Sequence, residues 1–461
     1  VHKAEFTDPV FFVGVAGMGM SSLAEISHHL GYTVQGSDSS SSPVIDNLRA
    51  KGLRIFDSHE GKNVDHSRTV VYSSAIPQSN PELIRARNLG LKVIHRSEFL
   101  SMLARGRTSI TITGTHGKTT TSALISHILT ECGVDPTCLV GGIVNSWGST
   151  ARCGASNYLV FEADESDGSF LRYSPFVSVV TNIDLDHLDH YGSLEKMHGS
   201  FQQYLTQTSS EGCNIVCWDD PVLQNLSSGE IHRLAFGFKL GSDVRCLDYQ
   251  SSAGETIFRA VVERRLITAR TPLIGKHNVL NCLAALSVAQ ALELDLDQAA
   301  AALATFNGVK RRFERYLTTE NLVIVDDYAH NPGKIEAFLL AIRQAWPKHR
   351  LIVVFQPHRF SRLRTTFSET INALSSSDLL VLLPVYSAGE PLDQDFSLHR
   401  IQQSFDDRLD CEVVAASTLD EAVDACASSI KESTMTVVAT VGAGDVWKVS
   451  HSLKESFSSS N

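Results

Sequence analysis

The chain has 461 residues, 43% of them hydrophobic and 20% charged, which divides into roughly three domains with their own cores and excludes wholesale disorder. A formal net charge of −11 argues against general nucleic-acid binding, because a phosphate backbone needs a basic face. No apolar run is long enough to span a bilayer, the polar start Val1–Pro9 has no signal-peptide core, and nine scattered cysteines without zinc spacing read as free thiols, so the expected home is cytoplasmic.

Short β-branched runs alternate with helical stretches in three blocks, the pattern of α/β domains built on parallel sheets. The first, residues 1–107, is expected to be Rossmann-like, with strands Val10–Val15, Thr33–Gly36, Arg54–Phe56, Thr69–Ser73 and Lys92–His95. In its opening turn Gly14, Gly17 and Gly19 follow a strand and precede an expected helix Ser21–Leu30, whose N-terminus suits a diphosphate. Asp38 stands just after the next strand, where dinucleotide folds place a ribose-binding carboxylate. Taken alone, this turn also fits simple packing or a nicotinamide oxidoreductase.

The second block, residues 108–310, carries the stronger signal. Ile110–Thr121 reads ITITGTHGKTTT, a strand breaking into a glycine turn before an expected helix Thr120–Glu131. Gly114 and Gly117 let the backbone curl around an anion, with Thr115, His116 and Thr120 in the same loop; Lys118 adds positive charge and Thr119 a hydroxyl for a phosphate-bound Mg²⁺. Ile112 stands where a Walker A loop requires glycine, so the turn is tighter, within a P-loop ATPase-like parallel sheet. An oxidoreductase reading would leave Lys118 with no work. Glu162 ends the strand Tyr158–Glu162 and His187 follows the strand Val177–Asn182, positions suited to metal ligands; Asp167, Asp184 and Asp189 also read as solvated loop caps. The block closes in an Ala/Leu-rich helix after Gly275-Lys-His-Asn.

The third block, residues 311–461, is again Rossmann-like, with strands Leu322–Asp326, Leu351–Phe355, Leu379–Leu383, Glu412–Ala415 and Thr436–Thr440. Its Ser-rich tail after Leu453 is expected to fray. An Arg pair after a strand and a lone His are as often structural as functional, and spacing alone leaves both readings open for Arg359, Arg362 and His330.

The ordered set GTHGKTT, EADESD, TNIDLDHLD, GKHNVLN, RRFE and DDYAHNP resembles the ATP-dependent Mur ligases of bacterial peptidoglycan precursor synthesis, across nearly the whole chain. FVGVAGMGMSSLAE, YSSAIPQSNPEL and FQPHRFSRLR are most similar to the alanine-adding members. The resemblance implies that the first block holds UDP-N-acetylmuramate through Gly14, Gly17, Gly19, Asp38, Ser73 and Ser74, the second ATP, and the third L-alanine. It further implies that Lys118 and Thr119 serve the phosphates and Mg²⁺, that Thr119, Glu162 and His187 hold metal, and that His277 and Asn278 reach the adenine. Arg312, Asp327 and His330 would close over ATP and the incoming amine, and Arg359 and Arg362 would hold the alanine carboxylate, which a guanidinium fork can bind at two points.

The implied reaction transfers the γ-phosphate of ATP to the lactyl carboxylate, giving an acyl phosphate that the alanine amine then attacks, with His330 or Asp327 orienting or deprotonating it. Three substrates on three domains predict closure on ATP binding. Three departures from the family pattern stand out. Ala16 and Ser22 replace glycines, which is expected to crowd the sugar-diphosphate turn; Asn331 replaces a histidine; and no lysine matches the carbamylated one of some relatives, so Lys196 receives no role. The alternatives are a ligase that adds a murein tripeptide to the same sugar, against which FQPHRFSR argues, and a nucleotide-binding protein without turnover.

Overall fold

The computed structural model describes residues 7–184, 188–227, 229–252, 254–431 and 433–458, excepting the side chains of residues 188 and 189. Three sheets account for the three blocks. The first contains β1 (Val10–Val13), β2 (Val34–Ser37), β3 (Arg54–Phe56), β4 (Thr69–Tyr72) and β5 (Lys92–His95) in the order β3-β2-β1-β4-β5. All its pairings are parallel. Helices α1 (Met18–His29), α2 (Pro43–Ala50) and α3 (Pro81–Asn88) make crossovers, and α4 (Arg96–Ala104) follows β5. Every residue of β1 is buried, as a central parallel strand covered on both faces requires, and Phe11 and Val13 share one core with Val70, Leu83 and Ala86.

The second block runs β6 (Thr108–Thr113), α5 (Lys118–Glu131), β7 (Thr137–Val144), β8 (Ser149–Arg152), β9 (Tyr158–Glu162), β10 (Val177–Val180), α6 (Leu188–Tyr191), α7 (Leu194–Thr206), β11 (Cys213–Cys217), α8 (Pro221–Asn225) and β12 (His232–Gly237). It continues with β13 (Val244–Ser252), β14 (Glu255–Val262), β15 (Arg265–Thr271), α9 (Lys276–Ala291) and α10 (Leu296–Ala302). The strand order is β15-β14-β13-β12-β11-β10-β6-β9-β7-β8. Parallel pairing extends from β13 to β7, and β8 closes the edge as an antiparallel hairpin partner of β7. The phosphate-loop strand β6 therefore lies between β10 and β9, and the segments after all three strands emerge at one sheet edge.

The third block contains β16 (Glu314–Thr318), β17 (Leu322–Asp327), α11 (Pro332–Ala345), β18 (Arg350–Phe355), α12 (Phe360–Ala373), β19 (Leu379–Leu382), α13 (Leu398–Asp406), β20 (Glu412–Ala415), α14 (Leu419–Ser429), β21 (Thr436–Val441) and α15 (Trp447–Ser458). The order is β16-β17-β21-β18-β19-β20, with only β16 antiparallel. Alternation along the strands sorts the core into two layers: Val323, Val325 and Val353 pack with Phe338, Leu339 and Phe405, while Leu322, Ile324 and Val354 pack with Ala422, Val449 and Leu453. Each such apolar side chain contributes about 1.5–3 kcal/mol by leaving water.

By contact density the chain forms two compact units: one through Leu247 with Arg259–Ala269 and Leu280–Asn307, the other of Asp248–Phe258, Arg270–Val279 and Gly308 onward. The polypeptide thus passes between the units within β13, β14, β15 and α9, and again after Asn307. Two sequence expectations are corrected. Helix α5 begins at Lys118 rather than Thr120, because Gly117 in left-handed backbone supplies its N-cap. Helix α15 continues to Ser458 instead of fraying after Leu453, its Val449, Ser450 and Leu453 being buried. No helix among the described residues is long and apolar enough to cross a membrane, and all nine cysteines are free thiols.

Candidate active site

Between β6 and α5, Gly114 (φ +119°) and Gly117 (φ +83°) hold left-handed backbone. A Cβ on Gly114 would stand 2.3 Å from Thr181 Oγ1, and one on Gly117 2.6 Å from Asn281 Oδ1, so the turn needs glycine for space as well as for φ. Thr115 N–H donates to the Asn182 carbonyl (3.1 Å) and His116 N–H to Asn182 Oδ1 (2.9 Å), which fastens the loop to the chain leaving β10. The imidazole of His116 meets Asp184 Oδ2 at 2.9 Å. The first turn of α5, with Lys118, Thr119 and Thr120, carries no side-chain cap, an arrangement that can receive an anion.

Lys118 Nζ donates to the Gly114 carbonyl (2.6 Å) and to Glu165 Oε1 (2.7 Å), a glutamate only 2% exposed. Glu162, at the end of β9, accepts from Thr119 Oγ1 (3.3 Å), Ser122 Oγ (3.2 Å) and the Gly141 N–H (2.5 Å). Beside them, burial alone would raise the Asp164 pKa, but Lys118, Ser166 and Arg96 together hold it below the usual carboxylate range. Thr119 and Glu162 offer oxygen donors suited to a hard divalent cation. Among the described residues no three His, Cys, Asp or Glu side chains form a metal cluster. His187 lies outside the described residues, as does the side chain of Asp189; Asp167 caps the turn at Ser169 (3.0 Å).

In the first block Gly14 has φ +74° and Gly17 caps α1, which starts at Met18 and so takes Gly19 into its first turn. Asp38 does not project freely. Its Oδ2 accepts from the Ala16 N–H (2.9 Å) and its Oδ1 from the N–H (2.9 Å) and hydroxyl (2.7 Å) of Ser40, so it braces the glycine turn. The expected crowding by Ser22 is corrected: its hydroxyl donates to the Met18 carbonyl (2.8 Å) and meets Thr150 Oγ1 at 2.7 Å, buried between α1 and β8. Ser74 Oγ lies 3.0 Å from His95 Nε2, and the Ser73 carbonyl accepts the Ile76 N–H.

The other unit gathers Arg312, Asp327, His330, Arg359 and Arg362 around the ends of β17 and β18. Asp327 accepts the N–H groups of Phe313 and Ala329, each at 2.8 Å, and burial raises its pKa. His330 Nδ1 bonds the Tyr328 carbonyl (2.9 Å), and burial with Lys334, Arg362 and Arg312 nearby pushes its pKa down to about 2, so the ring is neutral with Nε2 as an acceptor. Arg312 lies over the Tyr328 ring. Arg359 caps α12 with φ +69°, and Arg362 Nη1 reaches His358 Nδ1 (3.2 Å). A cavity of about 590 Å³ opens beside them, lined by Gln356, Tyr386, Ser387, Thr418 and Asp445. His277 follows Gly275 (φ +99°), with its pKa lowered to about 4 by burial, and the Asn278 amide donates to the Ile274 carbonyl (2.9 Å).

Four residues escaped the sequence reading. Glu165 pairs Lys118, Gly141 meets Glu162, and Asn281 accepts from Thr121 Oγ1 (3.1 Å) behind the phosphate turn. Arg311 reaches Asp326 and the carbonyls of Gly442, Ala443 and Gly444, holding the loop after β21. The last Asn of GKHNVLN and the first Arg of RRFE lay inside quoted motifs; Glu165 lay inside EADESD; Gly141 carried no local signal.

Comparison with known proteins gives a consistent result. Three family models match in series: "Mur ligase family, catalytic domain" over residues 9–108, "Mur ligase middle domain" over 112–289 and "Mur ligase, glutamate ligase domain" over 311–444. The chain is 42% identical over 391 residues to a UDP-N-acetylmuramate–L-alanine ligase of Methylobacterium radiotolerans, covering 83% of each. It is 42% identical over 446 residues to the same-named protein of Sorangium cellulosum, covering 95% of this chain and 94% of that one. Among solved structures, the UDP-N-acetylmuramate-alanine ligase of Thermotoga maritima superposes with a TM-score of 0.84 at 29% identity, over 99% of this chain and all of that one.

Proposed function

The chain belongs to the Mur ligase family, and on that premise we propose that it is the ATP-dependent ligase that joins L-alanine to the lactyl carboxylate of UDP-N-acetylmuramate, through an acyl phosphate, in peptidoglycan precursor synthesis. The observation that carries this reading is the turn before α5. Two glycines with no room for a Cβ present Lys118 and Thr119 at a helix start without a side-chain cap, with the Glu162 carboxylate 3.3 Å from the Thr119 hydroxyl.

Each residue has a physical task on this reading. Lys118 leaves Glu165 for the nucleotide phosphates, neutralising charge that would otherwise repel the attacking carboxylate. Thr119 and Glu162 hold Mg²⁺, which when bound supplies further neutralisation of the phosphate oxygens. The turn with Gly14, Gly17 and Gly19, braced by Asp38, receives the UDP-sugar diphosphate. Arg359 and Arg362 bind the alanine carboxylate, and Arg312 serves the nucleotide. His330, neutral and with Nε2 open as an acceptor, orients the attacking amine; the Asp327 oxygens are already held by two backbone N–H groups, which favours His330 over Asp327 for that role. The cytoplasm, where the nucleotide substrates reside, is the proposed location.

The murein tripeptide alternative shares the fold, but the relatives at 42% identity carry the alanine-ligase name. The test is phosphate release from ATP, Mg²⁺ and UDP-N-acetylmuramate, with and without L-alanine. Release that requires L-alanine supports the proposal, and release that requires only the tripeptide replaces it.

A further inference from the structure

Gly141 lies in β7, exposed to solvent, and its φ is not in the left-handed region, so the backbone alone does not call for glycine there. What calls for it is Glu162. A Cβ on Gly141 would stand 2.8 Å from both carboxylate oxygens and 3.0 Å from the carboxyl carbon, while the Gly141 N–H donates to Oε1 at 2.5 Å. The same oxygen accepts from Ser122 Oγ at 3.2 Å, and Oε2 accepts from Thr119 Oγ1.

From this geometry we infer that Gly141 is a positioning residue of the reaction centre: its bare α-carbon and its N–H fix where the Glu162 carboxylate stands, and the β7–β8 hairpin is the element that carries it. The inference rests on the ligase reading and on Glu162 as a cation ligand. The hairpin is no loose loop. Cys138 and Leu139 pair with Arg152 and Ala151, Val144 pairs with Ser149, the Asn145 amide donates to the Asn307 carbonyl (2.8 Å), and Thr150 meets Ser22 of α1 at 2.7 Å. Gly141 sits in the register shift between Leu139 and Val144, flanked by paired residues on both sides. A backbone donor anchored in this way holds an acceptor more narrowly than a solvated side chain does, and groups that orient a ligand are worth about 10–100-fold in metal affinity or activity.

The test is Gly141→Ala. The atoms that a Cβ would meet are the far end of a flexible side chain, so the variant folds and the carboxylate moves. Mg²⁺ binding to the ADP-loaded protein, followed by calorimetry, is expected to weaken about 10–100-fold, with ADP affinity measured without metal unchanged. Ser122→Ala, which adds no bulk, is expected to weaken it in the same direction by less. In a Glu162→Ala background Gly141→Ala is expected to have no further effect, since its action passes through that carboxylate. Unchanged Mg²⁺ affinity in Gly141→Ala, or an equal loss with and without Glu162, overturns the inference. Failure of the unaltered protein to bind Mg²⁺ with ADP overturns instead the reading on which it rests.

Discussion

The ion pair of Lys118 and Glu165 must be surrendered when a phosphate takes the ammonium, and its cost is measurable. The pair is 2.7 Å long, with side chains 18% and 3% exposed. Glu165→Gln keeps the volume and one acceptor but removes the charge. Breaking a fully buried pair costs about 3–5 kcal/mol. Lys118 retains some solvent and the Gly114 carbonyl at 2.6 Å, which lowers the expected loss in the nucleotide-free protein to about 1–3 kcal/mol. A bound phosphate restores the missing negative charge, so the loss shrinks when ADP saturates the site. Thermodynamic linkage then requires that ADP bind the variant more tightly by the same free energy, about 5–150-fold. Thermal unfolding with and without saturating ADP, paired with calorimetric ADP titration in the absence of metal, reads both sides of the cycle. Equal destabilisation with and without ADP, or weaker ADP binding, would refute the reasoning that Glu165 competes with phosphate for Lys118.

Other consequences are simpler to state. Arg362→Lys loses the guanidinium fork, and a charged hydrogen bond is worth about 1.5–3 kcal/mol, so kcat/KM for L-alanine is expected to fall about 10–150-fold with KM for ATP unchanged; a shift in the ATP constant instead would remove Arg362 from the alanine site. Asn331 accepts the Lys334 N–H at 3.0 Å as the N-cap of α11, so Asn331→His is expected to cost about 1 kcal/mol of stability with kcat unaltered, measured by urea unfolding and turnover. Burial depresses the pKa values of His277 and His358 to about 4 and of His330 to about 2, whereas unfolded histidines protonate near 6.5. Their contribution to stability is therefore present above about pH 6.5 and is lost as pH falls from there toward the folded values. Asp326, raised by burial to about 6, and Asp327, raised by burial in the same direction, act in the opposite sense above the ordinary aspartate value of about 3.9, two groups against three histidines. The urea midpoint is expected to be lower at pH 5.5 than at pH 7.5, and a higher one would contradict the burial of these rings.

The strands that form sheet centres were readable because burial on both faces leaves runs rich in β-branched residues, as in Val177–Val180 or in Val323, Ile324 and Val325. The β7–β8 hairpin was not, because two adjacent glycines interrupt its apolar pattern and its edge pairing is antiparallel. The glycine turn and Lys118 were legible because strand, glycines and lysine are contiguous. Their partners were not: Glu165 lies 47 residues beyond Lys118 and Asn281 lies 160 beyond Thr121, separations that local spacing does not encode. The place of Asp38 just after the second strand is legible in the sequence, but its role as a brace for the Ala16 N–H depends on the register that sets Val13 beside Ser37. Ser22 illustrates the same limit, since a residue that looks like crowding in sequence turns its hydroxyl toward Thr150, 128 residues away.

The most direct test of the account is the mass of the product formed when UDP-N-acetylmuramate, ATP and Mg²⁺ are incubated with an equimolar mixture of L-alanine and the murein tripeptide. The account predicts a single amide product heavier than the sugar nucleotide by one alanine residue, with one ADP and one phosphate released for each amide formed. A product carrying the tripeptide, or hydrolysis of ATP without any amide, would contradict it.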